Sequence, residues 1–132
     1  MTRLFLSFLA LFFTAQFCVR AAATEAALAK SEILESNVIY LRVGTVVAGL
    51  TDKIKAADAT LTGTNKIIGT VLDLRFANGN DDTEVKATTA LYSARKLPLA
   101  MLGNSETHGS AVALETALRD ERAGLIFGDA TN

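Results

Sequence analysis

The chain has 132 residues, 50% of them apolar and 20% charged, with a single proline; this leaves room for one packed domain and excludes a multidomain enzyme. Thirteen basic and 14 acidic residues are mixed along the sequence to a formal charge of -1, so no field strong enough to hold a phosphate backbone exists, and nucleic acid is not expected as a partner. One histidine and one cysteine make neither a zinc site of three or four ligands nor an internal disulfide, and neither a metal nor another cofactor is expected.

Five of the seven phenylalanines fall within the first 17 residues. The basic start Met1-Thr2-Arg3, the apolar stretch Leu4 to Phe17 and the small residues Ala21-Ala22-Ala23 follow the order of a secretory signal peptide with an A-x-A cleavage site. The stretch is short for a membrane span, which needs about 20 apolar residues. An uncleaved anchor or a misread start codon are the alternatives. Phe17 is too bulky for lipoprotein-type processing ahead of Cys18. Residues 1–23 are therefore expected to be removed, taking Cys18, Arg3 and Arg20 with them. The expected product is secreted or periplasmic, is not stably inserted in a membrane, and carries 11 basic against 14 acidic residues.

Residues 24–37, alanine- and glutamate-rich at the start, read as a frayed helix or a linker. Val38-Ile39-Tyr40-Leu41-Arg42-Val43 is β-branched and aromatic and ends at Gly44, a strand. Leu50, Ile54, Ala57 and Leu61 recur at helical spacing with Lys53, Lys55 and Asp58 on the wet side, and Thr62-Gly63-Thr64-Asn65 stops that helix. Ile67 to Leu74 is a near-continuous apolar run, as in a parallel strand covered on both faces. A turn cluster from Arg75 ends in the capping residues Asp81 and Asp82, and Val85, Thr88, Leu91 and Tyr92 mark a second helix. A short strand Leu97 to Leu102, a helix from about Thr107 to Arg122 with Ala111, Leu114 and Leu118 inward, and a strand Gly124 to Gly128 complete the series. Alternation of strand and helix predicts an α/β layer with right-handed crossovers.

In such sheets, sites gather where strands end and helices begin. Two junctions qualify, Asp73 to Gly79 and Gly103 to Ser110, although glycine and asparagine after a strand commonly just turn the chain. Gly69-Thr70-Val71-Leu72-Asp73-Leu74-Arg75, Lys96-Leu97-Pro98-Leu99-Ala100-Met101-Leu102-Gly103-Asn104, Leu118-Arg119-Asp120 and Ile126-Phe127-Gly128-Asp129-Ala130-Thr131 stand in the order of the motifs of the C-terminal processing (tail-specific) serine proteases, which this chain resembles from about Val38 to Asn132. The resemblance implies a Clp-protease/crotonase-like α/β core, here residues 38–132: a mostly parallel sheet with flanking helices, truncated at the C-terminus.

The family's reaction, as the resemblance implies it, uses a serine at a helix N-terminus, a lysine general base and an oxyanion hole of backbone amides. Anchored on Asp120, its nucleophile position falls on Gly109, and its lysine would lie just past Thr131. Gly79 matches the first of the family's paired glycines and Asn80 replaces the second; with Gly109 they form the expected oxyanion or peptide-binding set. Asp73, Arg75 and Asp120 are expected to support the structure near the site. Ser110 or Ser105 with His108, oriented by Asp120 or Glu106, are the substitute catalytic groups, although residues two apart on a helix do not face each other. The expectation is a secreted protease-like domain, inactive as it stands. Two alternatives are kept: a module holding peptide or unfolded-protein C-termini at the helix start near Thr107 to Ser110, and an active peptidase using Ser110 with His108. A free sheet edge at Ile126-Phe127 predicts marginal stability or oligomerisation.

Overall fold

A computed structural model describes residues 25–35 and 37–129, so the segment read as a signal peptide lies outside the described residues. The described residues form, in order, β1 (Leu28–Leu34), β2 (Val38–Val43), β3 (Thr45–Val46), α1 (Leu50–Thr62), β4 (Gly69–Asp73), β5 (Asn78–Gly79), α2 (Asp82–Ser93), β6 (Leu99–Gly103), α3 (Ser110–Asp120) and β7 (Leu125–Gly128). Five of the strands form one sheet in the order β1-β2-β4-β6-β7, antiparallel only between β1 and β2, while β3 and β5 make a separate parallel pair. The fold is thus the expected mixed α/β layer with a mostly parallel sheet and three flanking helices.

From β2 onward each crossover steps one strand further in the same direction. Right-handed connections taken in one direction lay their helices on one face of the sheet, and the burial alternation agrees. Ile39, Leu41 and Val43 of β2, Leu72 of β4, and Leu99 and Met101 of β6 are buried against Leu50 and Ile54 of α1, Val85 and Tyr92 of α2, and Ala111, Leu114 and Leu118 of α3. Val38 and Tyr40, Val71, and Ala100 and Leu102 point the other way and are only half-buried. The expectation that β4 is covered on both faces is therefore corrected. Among the described residues the helices cover one.

Two further corrections concern polar segments. Residues 24–37 were expected as a frayed helix or linker, but Leu28–Leu34 is a strand paired with β2 from Leu28 opposite Val43 to Leu34 opposite Val38. Asp58 was placed on the wet side of α1 and is 9% exposed. Its Oδ2 accepts from Arg95 Nη2 at 2.5 Å, and that guanidinium lies 4.9 Å from the Tyr92 ring centre, which ties the end of α2 to α1. Burial, then the Asp58 charge, push the Tyr92 hydroxyl above the ordinary tyrosine range.

The helix starts also interlock. Asp81 caps α2, its Oδ1 accepting from the amides of Thr83 at 3.0 Å and Glu84 at 3.1 Å. The N-cap of α1 is Gly49, which has no side chain for the task. Glu84 takes it over from the neighbouring helix, accepting from Gly49 N at 3.0 Å, Thr51 N at 2.9 Å and Thr51 Oγ1 at 2.7 Å. Burial alone would raise the Glu84 carboxyl, but the bonds from Thr51 and Gly49 outweigh it and hold the group below its ordinary range.

Candidate functional site

The two strand-to-helix junctions expected to carry chemistry meet at the C-terminal ends of β4 and β6. Asn104, just after β6, is the knot: its Oδ1 accepts from Phe76 N at 3.2 Å and from Glu106 N at 3.1 Å. Thr107 is buried and its hydroxyl donates to Leu74 O at 2.8 Å while accepting from Asn104 N at 3.1 Å. His108 N donates to Ala77 O at 3.0 Å, closing the second loop onto the first. Phe76 is 56% exposed and held at a φ of 65°, a left-handed conformation that costs a bulky residue on the order of 1–3 kcal/mol. Thr107 and Asn104 both lie in the junction read from the sequence, Thr107 at the expected helix start, but their side-chain roles in tying the two loops together were not legible there; an asparagine two residues before Glu106, whose amide it binds, is a local signal of the turn.

At the centre of this junction two glycines touch. Gly109, the N-cap of α3, has a φ of 62°, and a Cβ there would lie 2.3 Å from Gly79 O. Gly79 sits opposite Val46 in the β3–β5 pair, where a Cβ would meet Val46 O at 2.5 Å. Backbone therefore packs on backbone, and α3 starts with no side-chain cap. In its first turn Val112 N already donates back to Gly109 O at 3.1 Å, while the amides of Ser110 and Ala111 precede the first intrahelical bond. Asn80 is exposed, its amide donating to Val46 O at 3.3 Å. Thr45, Val47, Asn78, Gly79 and Asn80 line a depression of about 300 Å3 beside the contact.

The substitute catalytic groups are not brought together. Ser110 is 6% exposed and its Oγ lies 3.4 Å from Asp82 Oδ1, whereas His108 and Ser105 are exposed. Among the described residues no hydrogen bond joins the Ser110 hydroxyl to His108. Asp120, expected near the site, ends α3 on its exposed surface and bonds Arg119 at 3.2 Å. At 1.5 Å of rise per residue it is about 15 Å from the start of the helix, so it is neither an orienting group for His108 nor a support near the site.

Asp73 and Arg75 form a different cluster at the end of β4. The Asp73 side chain is 2% exposed; its Oδ1 accepts from Arg75 N and Nε, both at 3.0 Å, and its Oδ2 from Arg75 Nη2 at 2.7 Å and the Tyr40 hydroxyl at 2.6 Å. Burial alone would raise the Asp73 carboxyl, yet the bonds from Arg75 and Tyr40 outweigh it and hold it below the usual carboxylate range. Burial and the bond to Asp73 push Tyr40 up, and the same carboxylate stabilises the Arg75 cation. Tyr40, 33 residues from Asp73 in sequence, carries no local sign of this role. Among the described residues no group of three or more histidine, cysteine or acidic side chains is placed to hold a metal ion, and no helix is long and apolar enough to cross a membrane.

Comparison with solved structures places this geometry. The chain is similar to a photosystem II D1 C-terminal processing protease at a TM-score of 0.64 and 23% identity, over 71% of this chain and 30% of that one. The fold is C-terminal processing protease-like. It is also similar to a lipoprotein from Streptococcus agalactiae at a TM-score of 0.56 and 14% identity, over 77% of this chain and 49% of that one. The chain thus spans less than half the length of either structure. No family model and no curated protein matches its sequence.

Proposed function

We propose that this chain is a secreted protease-like domain that does not hydrolyse peptides on its own. The observation that carries the reading is the backbone at Gly109, where a φ of 62° and Gly79 O at 2.3 Å from a would-be Cβ leave the nucleophile position without room for a side chain. Acyl transfer needs an oxygen or sulfur attacker beside a base that takes its proton. The adjacent hydroxyl, Ser110, faces the Asp82 carboxylate at 3.4 Å, and among the described residues no imidazole or amine is hydrogen-bonded to it. The test is hydrolysis of quenched-fluorophore peptides by the purified secreted chain. Wild type, Ser110→Ala and His108→Ala are expected to match buffer; turnover that Ser110→Ala abolishes overturns the reading.

A second reading keeps the cleft for binding. The uncapped start of α3 beside the depression at Gly79 and Asn80 favours an extended peptide ending in a carboxylate, which amides and helix dipole would hold. Titration with peptides bearing free or amidated C-termini decides it: affinity indifferent to amidation rejects this reading and leaves the first untouched.

A further inference from the structure

A cavity of about 670 Å3 opens at the N-terminal ends of the parallel strands β2 and β4, the end opposite the glycine junction. Its volume falls within the range of small-molecule sites, about 300–1,000 Å3. Every residue that lines it lies between positions 39 and 97, on β2, β4, the C-terminal part of α1 and the loops beside them, so β7 forms no part of its wall. Ile39, Ile67 and Leu97 supply apolar surface. Three charged side chains, Asp58, Arg95 and Lys96, converge on the same space.

The chain's own groups use the polar side only in part. Asp58 is buried, and its Oδ2 takes the bond from Arg95, but its Oδ1 has no hydrogen-bond partner among the described residues. The Tyr92 hydroxyl, on the ring that Arg95 covers, is buried without a partner as well. An acceptor held out of water without a donor is costly, so a bound group that donates to it gains more than the same bond would give at the surface.

Charge narrows the class of ligand. Arg95 already neutralises Asp58, which favours a neutral donor, a hydroxyl or an amide N–H, over a second cation. Lys96, exposed at the rim, leaves the three side chains with one net positive charge, and the free edge of a planar guanidinium matches a carboxylate. Because Asp58 and Arg95 are bonded neighbours, the ligand's donor and its carboxylate must lie close together, as they do around one α-carbon. We propose that this cavity binds a small apolar monocarboxylate with a neutral hydrogen-bond donor on its α-carbon, a 2-hydroxy acid or an N-acylated amino acid. The donor bonds Asp58 Oδ1, the carboxylate meets Arg95 and Lys96, and the side group lies on Ile39, Ile67 and Leu97. The site shares no residue with the depression at Gly79 and Asn80, so it stands whether or not that junction holds a peptide.

The experiment is isothermal titration calorimetry of the purified chain with 2-hydroxy-4-methylpentanoate and N-acetyl-leucine, against 4-methylpentanoate, which lacks the donor, and N-acetyl-leucinamide, which lacks the carboxylate. The expected Kd for the tighter of the first two is about 0.1–1 mM, as suits a ligand of about ten heavy atoms, and their order identifies the donor as hydroxyl or amide. Loss of the donor or of the carboxylate is expected to weaken binding about 10-fold each. Ala59→Trp, at an exposed helical position of the wall, is expected to fill the mouth and abolish binding, and Lys96→Glu to weaken it about 10-fold, both with unchanged circular dichroism. No binding of either of the first two probes, a donor-free or amidated probe that binds as tightly, or an affinity that Ala59→Trp leaves unchanged overturns the inference. If one variant does not fold, the other and the probe series decide.

Discussion

Two clusters stand a few residues apart at the ends of the parallel strands, and they are made of different material. The Gly79–Gly109 contact is almost all backbone, with no side chain at its centre and amides along its margin. The Tyr40–Asp73–Arg75 cluster is made of charged and titratable groups, yet the four hydrogen bonds to the two Asp73 oxygens all come from within the cluster. Reactive chemistry needs a group that is both exposed to a substrate and activated by a neighbour. Here the shifted groups are engaged with each other, and the exposed side chains of the open junction, His108 and Ser105 among them, make no hydrogen bond to the Ser110 hydroxyl among the described residues. The difference teaches that polar side chains at a strand end can serve to lock loops rather than to meet a ligand.

The sharpest way to break this comparison is to put a nucleophile where the backbone leaves no room. Gly109→Ser introduces a Cβ against Gly79 O and forces a left-handed φ on a residue with a side chain. A cost of about 3–5 kcal/mol or failure to fold is expected from urea denaturation. A well-folded Gly109→Ser protein that cleaves peptide would make the junction an intact site lacking only its attacker.

The other cluster is tested by removing its acceptor. Asp73→Ala strips the carboxylate from Arg75 and Tyr40, and because the guanidinium is half-exposed and can rehydrate, the expected loss is about 2–3 kcal/mol rather than the larger value of a fully buried pair. Tyr40→Phe removes one of the four bonds and is expected to cost about 1 kcal/mol. The pH dependence has a definite sign. A carboxylate held below its ordinary range contributes stability that is fully present above the unfolded value, about 3.9 for aspartate, and is lost as pH falls through the folded value. Asp73 and Glu84 both behave this way. Thermal midpoints should therefore fall below about pH 4 in the wild type, and less steeply in Asp73→Asn. An unchanged acid limb in that variant would show that the bonds around Asp73 add nothing net.

Elements with strong internal periodicity were legible in the sequence, and those defined by distant partners were not. α1, β2 and the Asp81 cap of α2 follow from local spacing and residue type. β1 does not: its Lys30-Ser31-Glu32 centre is polar, and pairing with β2 makes it a strand. Asp58 looked solvent-facing because its partner, the half-buried Arg95, lies 37 residues away. At the site, the alternation of strand and helix located the two junctions, and the glycine at position 109 was visible as a residue without a side chain. Its contact with Gly79, and Tyr40's bond to Asp73, come from the folding of separate loops onto one another. The distance from Ser110 to Asp120 was the reverse case, since an 11-residue helix already sets those two residues at opposite ends.

Strain in the junction gives a smaller effect of opposite sign. Phe76 holds its φ of 65° with most of its ring in water. Phe76→Gly keeps the amide that donates to Asn104 and relieves the conformation, at the cost of a more flexible unfolded chain. The expected result is a gain of up to about 1 kcal/mol. A loss instead would mean that the exposed ring makes contacts worth more than the strain, and would point to the ring as part of a binding surface.

The smallest expected effect belongs to the only histidine. Its side chain is exposed, and what it gives the junction is the amide that donates to Ala77 O at 3.0 Å, which survives truncation. His108→Ala is therefore expected to change the unfolding free energy by no more than about 0.5 kcal/mol, the range of surface substitutions. It should also leave carboxylate-dependent peptide binding intact if that binding rests on amides. A several-fold loss of affinity with stability unchanged would instead mean that the imidazole reaches the ligand, and the junction would then hold a functional side chain after all.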